Sequence, residues 1–488
     1  MTTAGDILLQ KPTIAPPLDP DFRPISLGNR HYRRAVSAVA DKVPLTIALE
    51  RNGSCISIFA TEILAPGSDH DLSTRSYVER LVKFLLWQIG GWKISIGGSA
   101  QIADFIRQTY SRDGARAFDV KLMESVYERP FCVESVDDPK TLAPSEAAAP
   151  LGGHRDGCRI GFDLGASDYK LAAVINGQAV FTTEIAWDPR SESNPDWHYG
   201  KINDGLRLAA RHLPRVDAIG GSSAGIYIDN KVMVASLFRA VPPELFAQKV
   251  KPMFHHLRQE WGVPLEVAND GDVTALAGAM SLRTHGVLGL AMGSSQAAGF
   301  LDAKGRITGW LNELAFAPVD FNPRSPPDEW SGDIGCGVQY FSQQAVARLA
   351  PAAGIDLPNS HPAEQLKFVQ DLHRQGDPRP PQIFETLGVY LGYALGHYAD
   401  MYEYRHVLVL GRVTSGAGGD LIVRKANEVL RTDFPDLAEK VSLHLPDEKS
   451  KRVGQAVAAA SLPAIEPGNG SWATHGISAA ESPPKKTF

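Results

Sequence analysis

The sequence predicts an α/β protein, with a compact N-terminal module set before a larger body of alternating strands and helices. Three observations predict it. Two segments, beginning at Arg159 and at Val287, each read as strand, small polar turn, strand, with their turns about 130 residues apart. Between them, Pro264-Leu-Glu-Val-Ala-Asn-Asp-Gly-Asp272 stops a strand and starts a helix. The first part of the chain has a strand–turn–strand, helix, strand and helix pattern of its own.

The bulk composition excludes several classes. At 488 residues the chain is long enough for two or three domains. Its 43% hydrophobic and 21% charged residues are those of a soluble globular protein. A net charge of −6 favours neither nucleic acid nor an anionic membrane as a partner. No apolar run reaches the ~18 residues that a spanning helix needs. The start, MTTAGDILLQKPTIAPPLDPDF, lacks the basic-then-apolar pattern of a signal peptide. Cys55, Cys132, Cys158 and Cys336 lie far apart, without C-x-x-C spacing, so a reducing cytoplasm is expected.

The elements follow in order. Pro16, Pro17, Pro20 and Pro24 make an extended lead of residues 1–30. The α/β module over 31–134 opens with strands Pro44–Glu50 and Cys55–Phe59, joined at Asn52-Gly53. Ser73–Gly90 reads as a helix with Leu81, Val82, Phe84, Leu85 and Ile89 on its apolar side. Trp92–Gly98 is a strand and Ser99–Tyr110 a helix. A Pro/Ala/Ser/Gly-rich linker spans 135–156. After the main body, residues 464–488 are too poor in apolar surface to fold alone and read as a disordered tail.

Chemistry concentrates in the main body. Arg159–Val174 carries Asp163 at a strand end, Gly165 beside it and Ser167 two residues later, with Lys170 beyond. An acid, a glycine and a hydroxyl there suit a phosphate and its Mg²⁺: the glycine lets N–H groups approach oxygen anions, and the carboxylate can hold the metal through water. A plain hairpin turn is the alternative. Val216–Gly225 runs a strand into a small-residue turn, either a ligand contact or a plain β-turn. Asn269 and Asp270 stand where a strand ends and a helix begins, the place where open α/β sheets bind ligands. Capping of that helix is the competing job. Val287–Phe300 repeats the phosphate-type turn at Gly293-Ser294. Gly309-Trp-Leu-Asn-Glu313 offers one carboxylate. His406–Asp420 opens a buried strand into a Gly-rich turn at Gly411 that can lie against a nucleotide base and ribose; it is not G-x-G-x-x-G, so a dinucleotide site is disfavoured.

Two phosphate turns, an acid between them and a late glycine turn are in the order of the actin/hexokinase/Hsp70-like ATPase fold. Over about three-fifths of the chain, 157–463, the sequence resembles the ROK family of bacterial sugar kinases and repressors. Asp163-Leu-Gly-Ala-Ser-Asp-Tyr-Lys170 is similar to the family's D-x-G-x-T-x-x-K. Asn269-Asp270 falls at its N-D pair and Gly309–Glu313 at its G-x-x-G-E. Gly335-Cys336 with Tyr340 and Ser342 resembles the end of its G-C-x-E-x-Y-x-S stretch, and Arg452–Ser461 its closing helix. The resemblance implies a two-lobed, ribonuclease H-like fold, with a small lobe over 157–268 and a large lobe with the closing helix over 269–463.

Departures from the family are specific. The family's G-E-x-G-H becomes Asn312-Glu-Leu-Ala-Phe316. Its zinc loop is reduced to Cys336, and since zinc needs about four N or S ligands, no zinc site is expected. Val338 replaces an acid, and the second phosphate turn has lost two glycines. No helix-turn-helix with a basic recognition helix shows in the N-terminal module, which disfavours the repressor branch.

The resemblance implies ATP-dependent phosphorylation of a sugar or polyol hydroxyl, with ATP and Mg²⁺ as cofactors. Asp270 would be the general base, with Asn269, Glu313 and Ser223 on the substrate. Asp163 would hold Mg²⁺ through water. Gly165, Ser167, Lys170, Gly293 and Ser294 would bind phosphates, and Gly411 the adenosine. A small carbohydrate and a second copy of the chain are the expected partners, with no nucleic acid and no membrane. Loss of turnover, leaving a sugar- or nucleotide-binding protein, is the rival reading.

Overall fold

A computed structural model describes residues 7–146, 151–446, 448–465 and 472–473. The tail expected over 464–488 lies, apart from 464–465 and 472–473, outside the described residues.

The first helix, α1 (Ile25–Ser37), starts inside the stretch read as an extended lead. Pro24 stands just before it, and proline is tolerated at a helix start because the N–H that it lacks would be unpaired there anyway. Strands β1 (Lys42–Glu50) and β2 (Ile56–Leu64) pair antiparallel across a single turn at Asn52–Ser54. Then come α2 (Asp71–Ile89), β3 (Lys93–Gly97), α3 (Ala100–Thr109), α4 (Ala117–Tyr127) and β4 (Cys132–Val136). Ser99 caps α3 by accepting the Ile102 N–H at 3.3 Å, the usual role of serine at that position. The sheet order is β2-β1-β3-β4, with β3 and β4 parallel. The expected apolar side of α2 is in the core. So are its polar Glu79, Arg80, Lys83 and Gln88, a burial that hydrophobic spacing does not foresee.

The next segment builds a five-stranded sheet. Strands β5 (Cys158–Leu164), β6 (Asp168–Ile175) and β7 (Gln178–Ala186) form an antiparallel meander. Helix α5 (Pro195–Ala210) crosses to β8 (Ala218–Ser223), parallel to β5. Helix α6 (Met253–Trp261) crosses to β9 (Leu265–Asn269), parallel to β8, and α7 (Asp270–Leu282) follows at once. The order is β9-β8-β5-β6-β7, so the carboxyl ends of β5, β8 and β9 lie side by side. A second sheet is made by β10 (Val287–Met292), β11 (Gln296–Leu301), β12 (His406–Leu410) and β13 (Ser442–His444), in the order β11-β10-β12-β13. Helices α8 (Pro380–Tyr398) and α9 (Ala417–Asp433) precede and follow β12; α10 (Glu448–Ala460) comes last.

The chain forms two compact units. One takes Met1–Pro150 and Thr284–Pro446, the other Leu151–Arg283 and Asp447–Phe488. The cut falls after Arg283 rather than at 268, because α7 packs on α10 and stays with the five-stranded sheet. Helix α10 lies directly on β5, β6 and β8. A Cβ at Gly161 would come 1.8 Å from the Ala456 carbonyl oxygen, and one at Gly220 1.7 Å from that of Ala459. These strand glycines therefore set the helix-to-sheet distance. Arg159, wholly buried, donates to the Pro463 and Ala460 carbonyls at 2.7 and 3.4 Å, closing the end of that helix.

Gly220→Ala is expected to lower stability by about 1–3 kcal/mol, the usual cost of overpacking, because the helix backbone has nowhere to withdraw. A thermal melt with the unit's own signal checks it; an unchanged melting temperature means that the helix can shift at no cost.

Candidate active site

In the unit built on the five-stranded sheet, three strand ends converge. Asp163 is next to last in β5, and register pairs it with Ser222 of β8. Asp163 is 5% exposed. Oδ1 accepts from the Ser222 hydroxyl at 2.8 Å and Oδ2 from Lys170 Nζ at 3.4 Å. Lys170 also reaches Asp168 at 3.2 Å. Burial pushes the Asp163 carboxyl above its usual range, and Lys170 and Ser222 pull it back only in part.

Asn269 ends β9 and caps α7: its Oδ1 accepts the Gly271 N–H at 2.7 Å, and its Nδ2 donates to the Gly225 carbonyl at 2.7 Å. The capping job thus falls to Asn269, while the Asp270 carboxylate meets the N–H groups of Gly271 and of Asp270 itself, which pull its pKa down only in part. Asp270 is the first residue of α7 and half-buried. Desolvation and the neighbouring Asp163 charge push its carboxyl up to about 6. Gln455 of α10 donates to Ser222 Oγ and to the Asp270 carbonyl, each at 3.2 Å. Ser222 and Gln455 therefore tie the two acids together, and sequence reasoning missed both. The only signal for Ser222 was strand alternation, which needs the β5–β8 register to be read. Ser223, the residue expected on the substrate, is fully buried and accepts from the Tyr227 hydroxyl at 2.6 Å.

The first turn is a tight hairpin: the Gly165 N–H donates to the Asp168 carbonyl at 3.0 Å. Trp187 Nε1 donates to the Gly165 carbonyl at 2.8 Å, and Ser167 is exposed at the tip. Asp163 is the carboxylate suited to a divalent cation here. It is a hard oxygen donor, buried, with its charge only partly answered by one ammonium and one hydroxyl.

The other unit holds the remaining expected residues. The second turn closes through the Gly293 N–H on the Ser295 carbonyl at 2.9 Å, leaving Ser294 exposed. Gly411 follows β12 at φ +95°, and a Cβ there would lie 2.3 Å from the Met292 carbonyl oxygen, so only glycine fits beside that turn. Glu313 is half-buried, after Asn312, which holds a left-handed φ of +52°. Phe316 stacks on Trp87 with centroids 4.2 Å apart. Cys336 is buried, its Sγ 3.6 Å from Asp333, and burial pushes the thiol far up. Tyr340 and Ser342, which carried part of the resemblance, have structural work: Tyr340 donates to Asp320 at 2.7 Å, and Ser342 caps the helix Gln343–Leu349. Among the described residues no group of three His, Cys, Asp or Glu is placed to hold a metal, and no helix is long and apolar enough to cross a membrane.

No family model and no curated protein matches the chain. Solved structures do. A ROK family transcriptional regulator, a homologue of the E. coli MLC protein, is 17% identical over 73% of this chain and 87% of its own, with a TM-score of 0.50. The ROK hexokinase of Thermus thermophilus is 17% identical over 62% of this chain and 97% of its own, TM-score 0.49. A ROK glucokinase of Streptomyces griseus, solved with glucose and AMPPNP, is 22% identical over 62% and 98%, TM-score 0.43. The fold is the actin/hexokinase-type α/β fold that ROK proteins share, as the sequence led us to expect.

The raised Asp270 pKa has a consequence for stability. A carboxyl pushed from 3.8 to about 6 favours the fold fully only below its unfolded value, and that contribution is lost as pH rises through about 6. Asp270→Asn cannot ionise, so its melting temperature should match the wild type at pH 4 and equal or exceed it at pH 7. A variant that melts lower at pH 7 than at pH 4, relative to wild type, would contradict the raised pKa.

Proposed function

We propose that the chain is a divergent ROK-type carbohydrate kinase, moving the γ-phosphoryl group of ATP to a hydroxyl of a sugar or sugar-like polyol. The observation that carries the reading is Asp270: a half-buried carboxyl at a strand-to-helix boundary whose cap is supplied by Asn269, raised to about 6 by desolvation first and by the Asp163 charge second. A general base works best when its pKa lies near the operating pH.

Phosphoryl transfer is mainly positioning and neutralisation of charge. Asp270 would accept the proton of the attacked hydroxyl as the O–P bond forms. Its base strength depends on Asp163 staying charged, which Ser222 and Lys170 favour. Asp163 would hold Mg²⁺ through water, and Mg²⁺ when bound supplies charge neutralisation at the phosphates. Ser167 and Lys170 with the Gly165 turn, and Ser294 with the Gly293 turn, would bind phosphate oxygens. Gly411 would offer flat backbone to the adenosine. Asn269 has both amide ends engaged by backbone, so its part would be to fix Asp270 and to contact substrate with its remaining N–H. Glu313 would accept hydrogen bonds from the acceptor's hydroxyls.

A second reading, a non-catalytic sugar- or nucleotide-binding protein, is favoured by one observation: the second turn, Gly293-Ser294-Ser295, keeps a single glycine. ADP release from Mg·ATP, measured against glucose, mannose, N-acetylmannosamine and sorbitol, separates the two. The kinase reading expects turnover with at least one acceptor and a thermal shift with Mg·ATP. A shift without turnover selects the second reading, and neither response rejects both.

For the active acceptor, Asp270→Asn should lower kcat about 10²–10⁴-fold, the usual worth of a general base, without loss of melting temperature. Wild-type kcat/KM should fall below a pH of about 6, with the slope of one proton. An acidic limb that persists unchanged in the variant would move the base elsewhere.

A further inference from the structure

The N-terminal module lies outside the stretch that resembles the kinase fold, yet it shares a compact unit with the loop that carries Glu313. Its helix α2 ends at Ile89. The last carbonyls of a helix have no partner inside it. Here Gly90 N–H satisfies Leu86, but the next two go elsewhere: the Glu313 N–H donates to the Trp87 carbonyl at 3.0 Å and the Asn312 N–H to that of Gln88 at 2.9 Å. The loop thus caps the helix, and the helix fixes two consecutive loop amides.

Three further contacts hold the same segment. Arg51, at the end of β1, donates to the Gly309 carbonyl at 3.1 Å. The Trp87 ring stacks on Phe316 at 4.2 Å and 25°, and its Nε1 donates to Asp119 at 3.2 Å. Downstream, Asp333 is gripped by Arg80 at 3.0 Å, Lys83 at 3.1 Å and Arg116 at 2.6 Å. Lys83, wholly buried, bridges Asp333 to Asp119 at 3.0 Å. Asn312 itself is 2% exposed and left-handed, a conformation that persists only where the surroundings impose it. Tyr402 secures it from the other side, its hydroxyl donating to Asn312 Oδ1 at 3.0 Å.

We infer that the N-terminal module is the positioning element of the acceptor site: the C-terminal turn of α2 fixes the backbone of Asn312 and Glu313, and Trp87 fixes the loop beyond them, so that the Glu313 carboxylate is aimed by a part of the chain outside the kinase-like fold. The link to the acceptor rests on the reading of Glu313 given above; the buttressing itself does not.

The test uses the full chain and four variants. Trp87→Leu removes the ring stack and the bond to Asp119. Tyr402→Phe removes one hydroxyl and keeps the ring, so it supplies the test if Trp87→Leu does not fold. Glu313→Gln is the reference for the acceptor reading. Amide hydrogen exchange over 309–316 is measured first, without ligand. Exchange at Asn312 and Glu313 should speed up at least about 10-fold in Trp87→Leu, less in Tyr402→Phe, and return towards wild type in Trp87→Phe, which restores a stacking ring. Unchanged exchange in both folded variants overturns the positioning role, whatever the activity. KM for the best acceptor of the panel should then rise about 10-fold in Trp87→Leu, with KM for ATP unchanged. If Glu313→Gln raises acceptor KM while loosened-loop variants do not, the inference is overturned and the kinase reading stands. If Glu313→Gln leaves acceptor KM unchanged, the reading of Glu313 is overturned, and exchange alone decides the buttress.

Discussion

Two carboxylates share one edge of the five-stranded sheet, and neither ionises without raising the cost of ionising the other. Much of the local design answers that repulsion. Burial raises both, but Asp163 gets a hydroxyl from Ser222 and an ammonium from Lys170 that pull it back in part, and Asp270 gets neither. Asn269 takes the capping role that would otherwise have occupied the acid beside it. Gln455 reaches across from α10 to bond Ser222 and the Asp270 backbone, so the distance between the acids is held by a helix as well as by two strands. Two chemically identical groups are thereby given different environments, one suited to charge and one to proton transfer.

The second unit solves a different problem. A loop carrying a half-buried acid needs a stiff support. The support found here is polar and covalently continuous with the N-terminal module: three cations on one carboxylate, an aromatic stack, and helix carbonyls that accept loop amides. Burying so much charge has a desolvation cost, offset only because every member has a partner. That makes the network a specific anchor rather than a large source of stability.

Much of this was legible in the sequence, and the limits are physical. The two turns, the Asn269-Asp270 boundary and α2 all announced themselves through local signals: glycine and hydroxyl residues between strands, an acid where apolar alternation stops, a 3.6-residue apolar period. Ser222 and Gln455 did not, since their importance comes from register and from a helix arriving from far along the chain. Buried Lys83, Arg80 and Glu79 are not among the apolar positions that announce α2; only their tertiary partners explain their burial. Tyr340 and Ser342 show the converse. They helped to carry a family resemblance, and in the structure they hold a buried aspartate and a helix end.

The glycine strands beneath α10 carry a consequence for biosynthesis. Gly161 faces Ala456, 295 residues later, and the small cluster of Ala172, Val174, Ala456 and Ala460 is likewise split between the two ends of the unit. On a ribosome adding about 5–20 residues per second, this sheet waits roughly 15–60 seconds for the helix that covers it. Through that interval the nascent chain presents an apolar, glycine-flattened face, with the Arg159 guanidinium held by Asp156 but lacking the Ala460 and Pro463 carbonyls. Long-range closure of this kind slows folding and lengthens exposure to wrong partners. The unit that carries the proposed base is thus the one whose assembly is completed last, and cellular yield should depend on chaperone supply more than its finished stability suggests.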